Sequence, residues 1–209
     1  MLPWTKKYAP KTFDELLFPP IPALRARLAD LFDTGHFPYP GLILEGVGGT
    51  GKSTLINLLS KQEWVGTVIT LNSSGQNKSD LDSLKNALGN HPGAFGKHLV
   101  LGNEIIESSS DYINGLRGLM DDYSNDAFFA FTDNHYANLC VKFPQLFSNQ
   151  RVRSINFNTI AKTDIKECCM RILKAEGKDN PTNEKILDIC IKDYYPSIRA
   201  IIEDLEFQV

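Results

Sequence analysis

The chain has 209 residues, 42% hydrophobic and 22% charged, which suits one large domain or a main domain with a small satellite, each with a packed core. No apolar run approaches the roughly 18 residues that cross a bilayer, and the opening Met-Leu-Pro-Trp-Thr-Lys-Lys-Tyr lacks the apolar stretch of a secretion signal. These features argue against membrane contact and predict a cytoplasmic location; the formal net charge of −3 disfavours nucleic-acid binding in bulk, although a local basic stripe or helix N-termini aimed at phosphates can suffice.

Residues 1–22 are proline-rich and read as an extended arm. Ile21, Leu24, Leu28 and Leu31 then recur at helical spacing, with Gly35 placed to end the helix. Two prolines make 37–41 a loop. From there strands and helices alternate, the pattern of an α/β fold. Strands are expected at 42–45, 67–71, 98–102, 127–132 and 153–157, and helices at 52–61, 79–88 and 109–123. A polar turn at 148–150 precedes the fifth strand. Beyond residue 162 the pattern is helical, with helices over 164–175, 183–193 and 196–206 and a loop at 177–181. A boundary near residue 160 therefore divides an α/β domain, 1–160, from a small helical one, 161–209. Cys140, Cys168, Cys169 and Cys190 contain no C-x-x-C pair, so neither a zinc module nor a disulfide framework is indicated.

The segment Gly46, Val47, Gly48, Gly49, Thr50, Gly51, Lys52, Ser53 fits G-x-x-x-x-G-K-[ST] at every specified position, directly after a strand and opening a helix that continues through Thr54. Its glycines let successive backbone N–H groups face a phosphate, and the helix N-terminus adds positive potential. Lys52 would reach the β- and γ-phosphates of a nucleoside triphosphate, and the Ser53 hydroxyl would coordinate Mg²⁺. A second element, an acidic pair at the end of another strand, supports the metal and polarises the attacking water. The candidate pair is Asn103-Glu104. Glu104 stands where the catalytic base is expected, while Asn103 can accept a hydrogen bond from a metal-bound water but brings no negative charge.

Further residues occur in an informative order. Trp4-Thr-Lys-Lys-Tyr8-Ala-Pro10-Lys-Thr-Phe-Asp-Glu15 leads the chain, and Leu116-Arg117-Gly-Leu-Met120-Asp-Asp-Tyr-Ser124 lies on the third α/β helix. Phe131-Thr-Asp-Asn134 closes the fourth strand, Asn149-Gln-Arg151 precedes the fifth, and Pro196-Ser-Ile-Arg199 opens the last helix. Together these residues resemble the clamp-loader branch of the AAA+ ATPases, in which the likeness extends to the ATPase subunits of T-even-type bacteriophages and to replication-factor-C small subunits. The resemblance covers nearly the whole chain, at low identity between motifs.

The resemblance implies that Tyr8 and Pro10 contact the adenine, that Asn134 is the sensor-1 asparagine and that Arg199 is the sensor-2 arginine. It implies a subunit-coupling role for the 116–124 helix and a DNA-backbone contact for Lys78. Of the family's Ser-Arg-Cys element only Arg151 survives as the finger offered to a neighbour's ATP, with Arg153 a competing assignment. The family's helical collar finds no counterpart before Val209, so the isolated chain is expected to be monomeric or weakly associated. The expected fold is a five-stranded parallel sheet flanked by helices with a helical lid, its ligand at the carboxyl ends of the strands. The expected function is ATP·Mg²⁺ binding and hydrolysis within a loader that opens a sliding clamp on primer–template DNA, with other loader subunits, the clamp and DNA as partners. Two other readings stand beside it: a nucleotide-binding structural subunit with little hydrolysis, which Asn103 favours, and a small-molecule P-loop kinase. For a viral chain the cytoplasm is that of the host.

Overall fold

The protein is described by a computed structural model that covers residues 2–71, 78–92, 96–103, 109–134, 136–142, 144 and 151–209. Five strands, β1 (Gly41–Glu45), β2 (Val65–Leu71), β3 (Lys97–Asn103), β4 (Ala127–Asp133) and β5 (Val152–Asn156), form one sheet in the order β2-β3-β4-β1-β5. Every pairing is parallel. This is the five-stranded parallel sheet expected from the sequence and fits the P-loop fold of the AAA+ proteins.

Helices α1 (Trp4–Lys7) and α2 (Leu24–Thr34) precede the sheet, while α3 (Lys52–Leu59), α4 (Lys78–Gly89), α5 (Ser110–Asp122) and α6 (Tyr136–Lys142) lie between strands. Helices α7 (Lys162–Ala175), α8 (Pro181–Tyr194) and α9 (Ile198–Gln208) follow β5.

A parallel sheet with helices on both faces needs strands that are apolar on both sides. Strand β4, Ala127-Phe-Phe-Ala-Phe-Thr-Asp, is buried at every position. Side chains alternate along each strand, so Leu42, Leu44, Leu99, Phe128 and Ile155 join one cluster with α3 and with the last three helices. Ile43, Val100, Phe129 and Phe131 join another with Leu84 and Leu88 of α4 and Leu116 and Met120 of α5.

Local chemistry sets the helix ends. Gly35 ends α2 in the left-handed conformation. The Ser109 hydroxyl caps α5 by accepting from the Tyr112 amide, and Asn180 caps α8 by accepting from Thr182 and Asn183 amides ahead of Pro181 in the first turn.

Four expectations are revised. The arm is not extended throughout: Trp4 is buried and its amide donates to Glu206 of α9, and α1 together with a 3₁₀ turn over Phe13–Glu15 shapes it locally. Ile21 lies outside α2, because Ala23 turns left-handed at φ 58 before the first helical residue. The last helix begins at Ile198 rather than at Pro196, since Ser197 is its cap. Helix α6 had no sequence signal: its apolar spacing is broken, and Val141 is 84% exposed.

Because Phe129 is wholly buried at the centre of the sheet, Phe129→Ala should cost about 3–5 kcal/mol of stability. Urea denaturation checks this, and a loss below about 1 kcal/mol would contradict the close packing between β4 and α5.

Candidate functional site

The site begins where β1 ends. Gly46, Gly49 and Gly51 adopt φ of 140, 85 and 102, a region that side-chain-bearing residues avoid, and the chain then enters α3 at Lys52. Lys52 is only 7% exposed. Its ammonium donates to the carbonyls of Gly46 and, at 2.9 Å, Val47, and to Asn134 Oδ1 at 3.2 Å. The lysine at the root of the loop is thus joined to the end of β4, where the sensor-1 residue was expected.

Two other elements hold the loop from outside. On one side, Asn158 in the 3₁₀ turn after β5 accepts the Val47 amide at 2.9 Å. On the other, the start of α9 is docked directly on the glycines. The Ser197 hydroxyl donates to Gly48 O at 2.9 Å, and the Arg199 amide donates to Gly49 O at 3.1 Å. A Cβ on Gly49 would lie 2.5 Å from Ser197 Oγ and 2.8 Å from Arg199 Cβ, so glycine is required by close approach as well as by φ.

A cleft of about 650 Å³ opens over this loop, a size that suits a small-molecule ligand. Its wall takes in Tyr8 and Pro10 from the arm, Gly48 through Thr54 from the loop and α3, Asn103 and Thr132 from β3 and β4, then Asn134 and Arg199. Five stretches separated widely in sequence therefore meet in one cavity.

Asn103 and Thr132 are register partners, and the Thr132 hydroxyl donates to Asn103 Oδ1 at 2.9 Å. Glu45 and Asp133 are also register partners, but they belong to the opposite face, in line with Ile43 and Phe131. Burial pushes the Glu45 carboxyl up, against a hydrogen bond with Ser154, and the neighbouring Asp133 adds to the rise.

The cleft also has apolar lining. Leu16, Leu17, Cys168, Ile172 and Ile202 line it, and Arg171 adds a cation. Sequence motifs named none of these six, because on helical spacing they read as ordinary core or surface. Asn158 carried no signal either; Ser197 had one, as the residue before a helical run.

Not every candidate residue reaches the cleft. Gly46 and Val47 do not line it and meet Lys52 through their carbonyls. Glu104 is outside the described residues, as is the 148–150 turn, and Lys78 opens α4 with its side chain outside the description. Arg151 lies immediately before β5, at the opposite end of the strand from the loop; five residues at 3.3 Å make that roughly 16 Å. Its Nε and one terminal nitrogen bond Asp121 of α5 at 2.6 and 2.9 Å, which holds the Asp121 carboxyl below the usual range. Arg153 is exposed on β5.

No protein-family model matches the chain. Among curated proteins it is 26% identical over 185 residues to replication factor C subunit 3 of Blastobotrys adeninivorans. The aligned part is 85% of this chain and 52% of that protein, so the chain spans about half the length of the curated relative it matches. This weak homology supports a relationship to AAA+ clamp loaders of the replication-factor-C kind.

Gly49→Ala tests how the loop is held. Left-handed geometry costs a non-glycine residue about 1–2 kcal/mol, and the new methyl meets Ser197 and Arg199. Hydrogen exchange at the Arg199 amide should quicken in this variant; unchanged protection would contradict the docking of α9 on the loop.

Proposed function

We propose that the cleft binds ATP and Mg²⁺ and that the chain is an ATP-hydrolysing subunit of a DNA polymerase sliding-clamp loader. The observation that carries this reading is the convergence of the glycine loop, Asn103, Asn134, Arg199 and the arm on one cavity. The similarity to a replication factor C subunit gives the same direction.

On this reading the loop amides and Lys52 hold the β- and γ-phosphates, and Arg199 supplies a second cation from the lid. Tyr8 and Pro10 lie along the base. Residues 161–209 form the lid and 1–160 the nucleotide-binding body, with the nucleotide between them.

The residues present suit Mg²⁺ held jointly with phosphates. Ser53 offers a hydroxyl and Asn103 an amide oxygen, both hard oxygen donors. Among the described residues no group of three or more His, Cys, Asp or Glu could hold a metal alone. When bound, Mg²⁺ neutralises charge on the phosphates. Glu104, next in sequence after Asn103, is assigned to orient the attacking water. Arg151, remote from its own cleft, is assigned to that of a neighbouring subunit. The further partners are other loader subunits, the clamp and primer–template DNA, with Lys78 the assigned DNA contact.

A second reading, a subunit that binds nucleotide but hydrolyses it poorly, is favoured by one observation. Asn103 lacks the charge expected at its position, and its Oδ1 already accepts the Thr132 hydroxyl.

Lys52→Ala should abolish ATP binding while the protein stays folded, because the sheet rests on apolar strands. Calorimetric titration checks this, and unchanged affinity sinks the phosphate-loop assignment. Asn103→Asp should raise apparent Mg²⁺ affinity and turnover; changes around a metal site typically amount to about 10- to 100-fold. A flat Mg²⁺ dependence would remove Asn103 from the metal site. In a reconstituted complex with DNA and clamp, Arg151→Ala should lower stimulated turnover by about 10³- to 10⁵-fold and leave the basal rate of the isolated chain nearly unchanged. Full stimulation by the variant would refute its role as the finger.

A further inference from the structure

The side of the cleft away from the phosphate loop is built from two ends of the chain. Tyr8 and Pro10 come from the arm, while Cys168, Ile172 and Ile202 come from the lid helices. One carboxylate fastens these together. Glu176 Oε1 accepts from Lys7 Nζ at 2.5 Å and from the Tyr8 hydroxyl at 2.6 Å, across 169 and 168 residues of sequence. A second anchor lies beside it: the Trp4 amide donates to Glu206 Oε2 at 2.8 Å, and Lys178 Nζ stands 5.6 Å over the buried Trp4 ring.

Glu176 is stabilised by Lys7 and Tyr8 from the arm, and Lys178 adds to them. It caps the C-terminus of α7, where the helix dipole disfavours an anion and a lysine or arginine would be the usual choice. Its two partners from the arm offset that disadvantage. A tyrosine whose hydroxyl is committed to a carboxylate also has its ring orientation fixed, and this ring is part of the cleft wall.

We infer that Glu176 is a positioning residue for the base end of the cleft, tying the arm to the lid so that Tyr8 and Pro10 close on a purine base together with the lid helices. The inference rests on the nucleotide-binding reading above and deepens it. Phosphate recognition belongs to the loop, whereas base recognition depends on a joint between residues 7–8 and 176. Hydrogen bonds from Lys7 and then Tyr8 hold the Glu176 carboxyl below its usual range. The contribution of this lowered pKa is therefore present at neutral pH and is lost as pH falls through the folded-state value.

The test titrates the full chain with Mg-ATP and, separately, with Mg-tripolyphosphate, which carries the phosphates without a base. Glu176→Ala should weaken ATP binding about tenfold and leave tripolyphosphate binding unchanged. Tyr8→Phe keeps the ring and loses the hydroxyl, so it should shift ATP affinity in the same direction. Glu176→Gln retains an acceptor for Tyr8 but not the charge for Lys7, and should fall between. Amide exchange over residues 4–11 should quicken in Glu176→Ala. Wild-type ATP affinity in both Glu176→Ala and Tyr8→Phe overturns the inference and leaves the nucleotide site standing. Equal weakening toward ATP and tripolyphosphate also overturns it, since the damage is then not confined to the base end. A wild-type chain that binds neither ligand refutes the nucleotide reading itself, and the inference with it.

Discussion

Two hydrogen bonds cross from the last helix to the glycine loop, Arg199 N–H to Gly49 O at 3.1 Å and Ser197 Oγ to Gly48 O at 2.9 Å, and the composite cleft depends on them. A loop that turns its amides inward toward a ligand must turn carbonyls outward, where they need donors. The first turn of any helix has the opposite surplus, amides with no partner inside the helix. Here each shortage meets the other. Arg199 occupies the first turn of α9, so its otherwise orphaned amide satisfies Gly49, while the helix cap Ser197 spends its hydroxyl proton on Gly48. Asn158 serves the remaining side by taking the Val47 amide. The start of α9 is therefore coupled to loop geometry through one backbone amide and one cap hydroxyl.

The same economy governs charge. Lys52 is nearly buried, and a buried ammonium is tolerated only when hydrogen-bonded. The carbonyls of Gly46 and Val47 and the Asn134 carboxamide hold it. Glu45 and Asp133 point to the face shared with Ile43 and Phe131, whereas Asn103 and Thr132 point to the face that carries α3.

Sheet and helices were legible in the sequence because their periodicities are unmixed. Strand β4 reads as a continuous apolar run and is buried at every position, while α5 repeats its apolar residues at helical spacing behind a serine cap. The loop was legible because its glycines and lysine are adjacent in the chain. What stayed hidden depends on contacts between distant residues. Glu176 looks like a surface charge until Lys7 and Tyr8 are folded against it, and Asn158 like a turn residue until Val47 reaches it. Helix α6 was missed because its exposed valine breaks the apolar pattern that would have marked it. The 26% identity to a replication factor C subunit bears on family and leaves these pairings to the geometry.

Asn103 is where the two proposed readings part, and its surroundings bear on which residue must compensate. A carboxylate there would place a negative charge beside the Thr132 hydroxyl, at the carboxyl end of β3, on the same sheet face as α3. The amide keeps the hydrogen bond from Thr132 and the shape of the site but removes that charge. On the proposed reading, binding of a nucleotide suffers little from this loss, since Lys52, Arg199 and the loop amides are the groups assigned to the phosphates. Hydrolysis, on the same reading, would suffer more, because charge is redistributed over the γ-phosphate in the transition state and a less firmly held metal stabilises that redistribution less. On the proposed reading the compensating cation is the arginine of a neighbouring subunit, since Arg151 of this chain is bonded to Asp121 at the far end of β5. On the proposed reading, turnover in this protein then depends more on its neighbour than it would with aspartate at 103, which makes assembly the controlling variable.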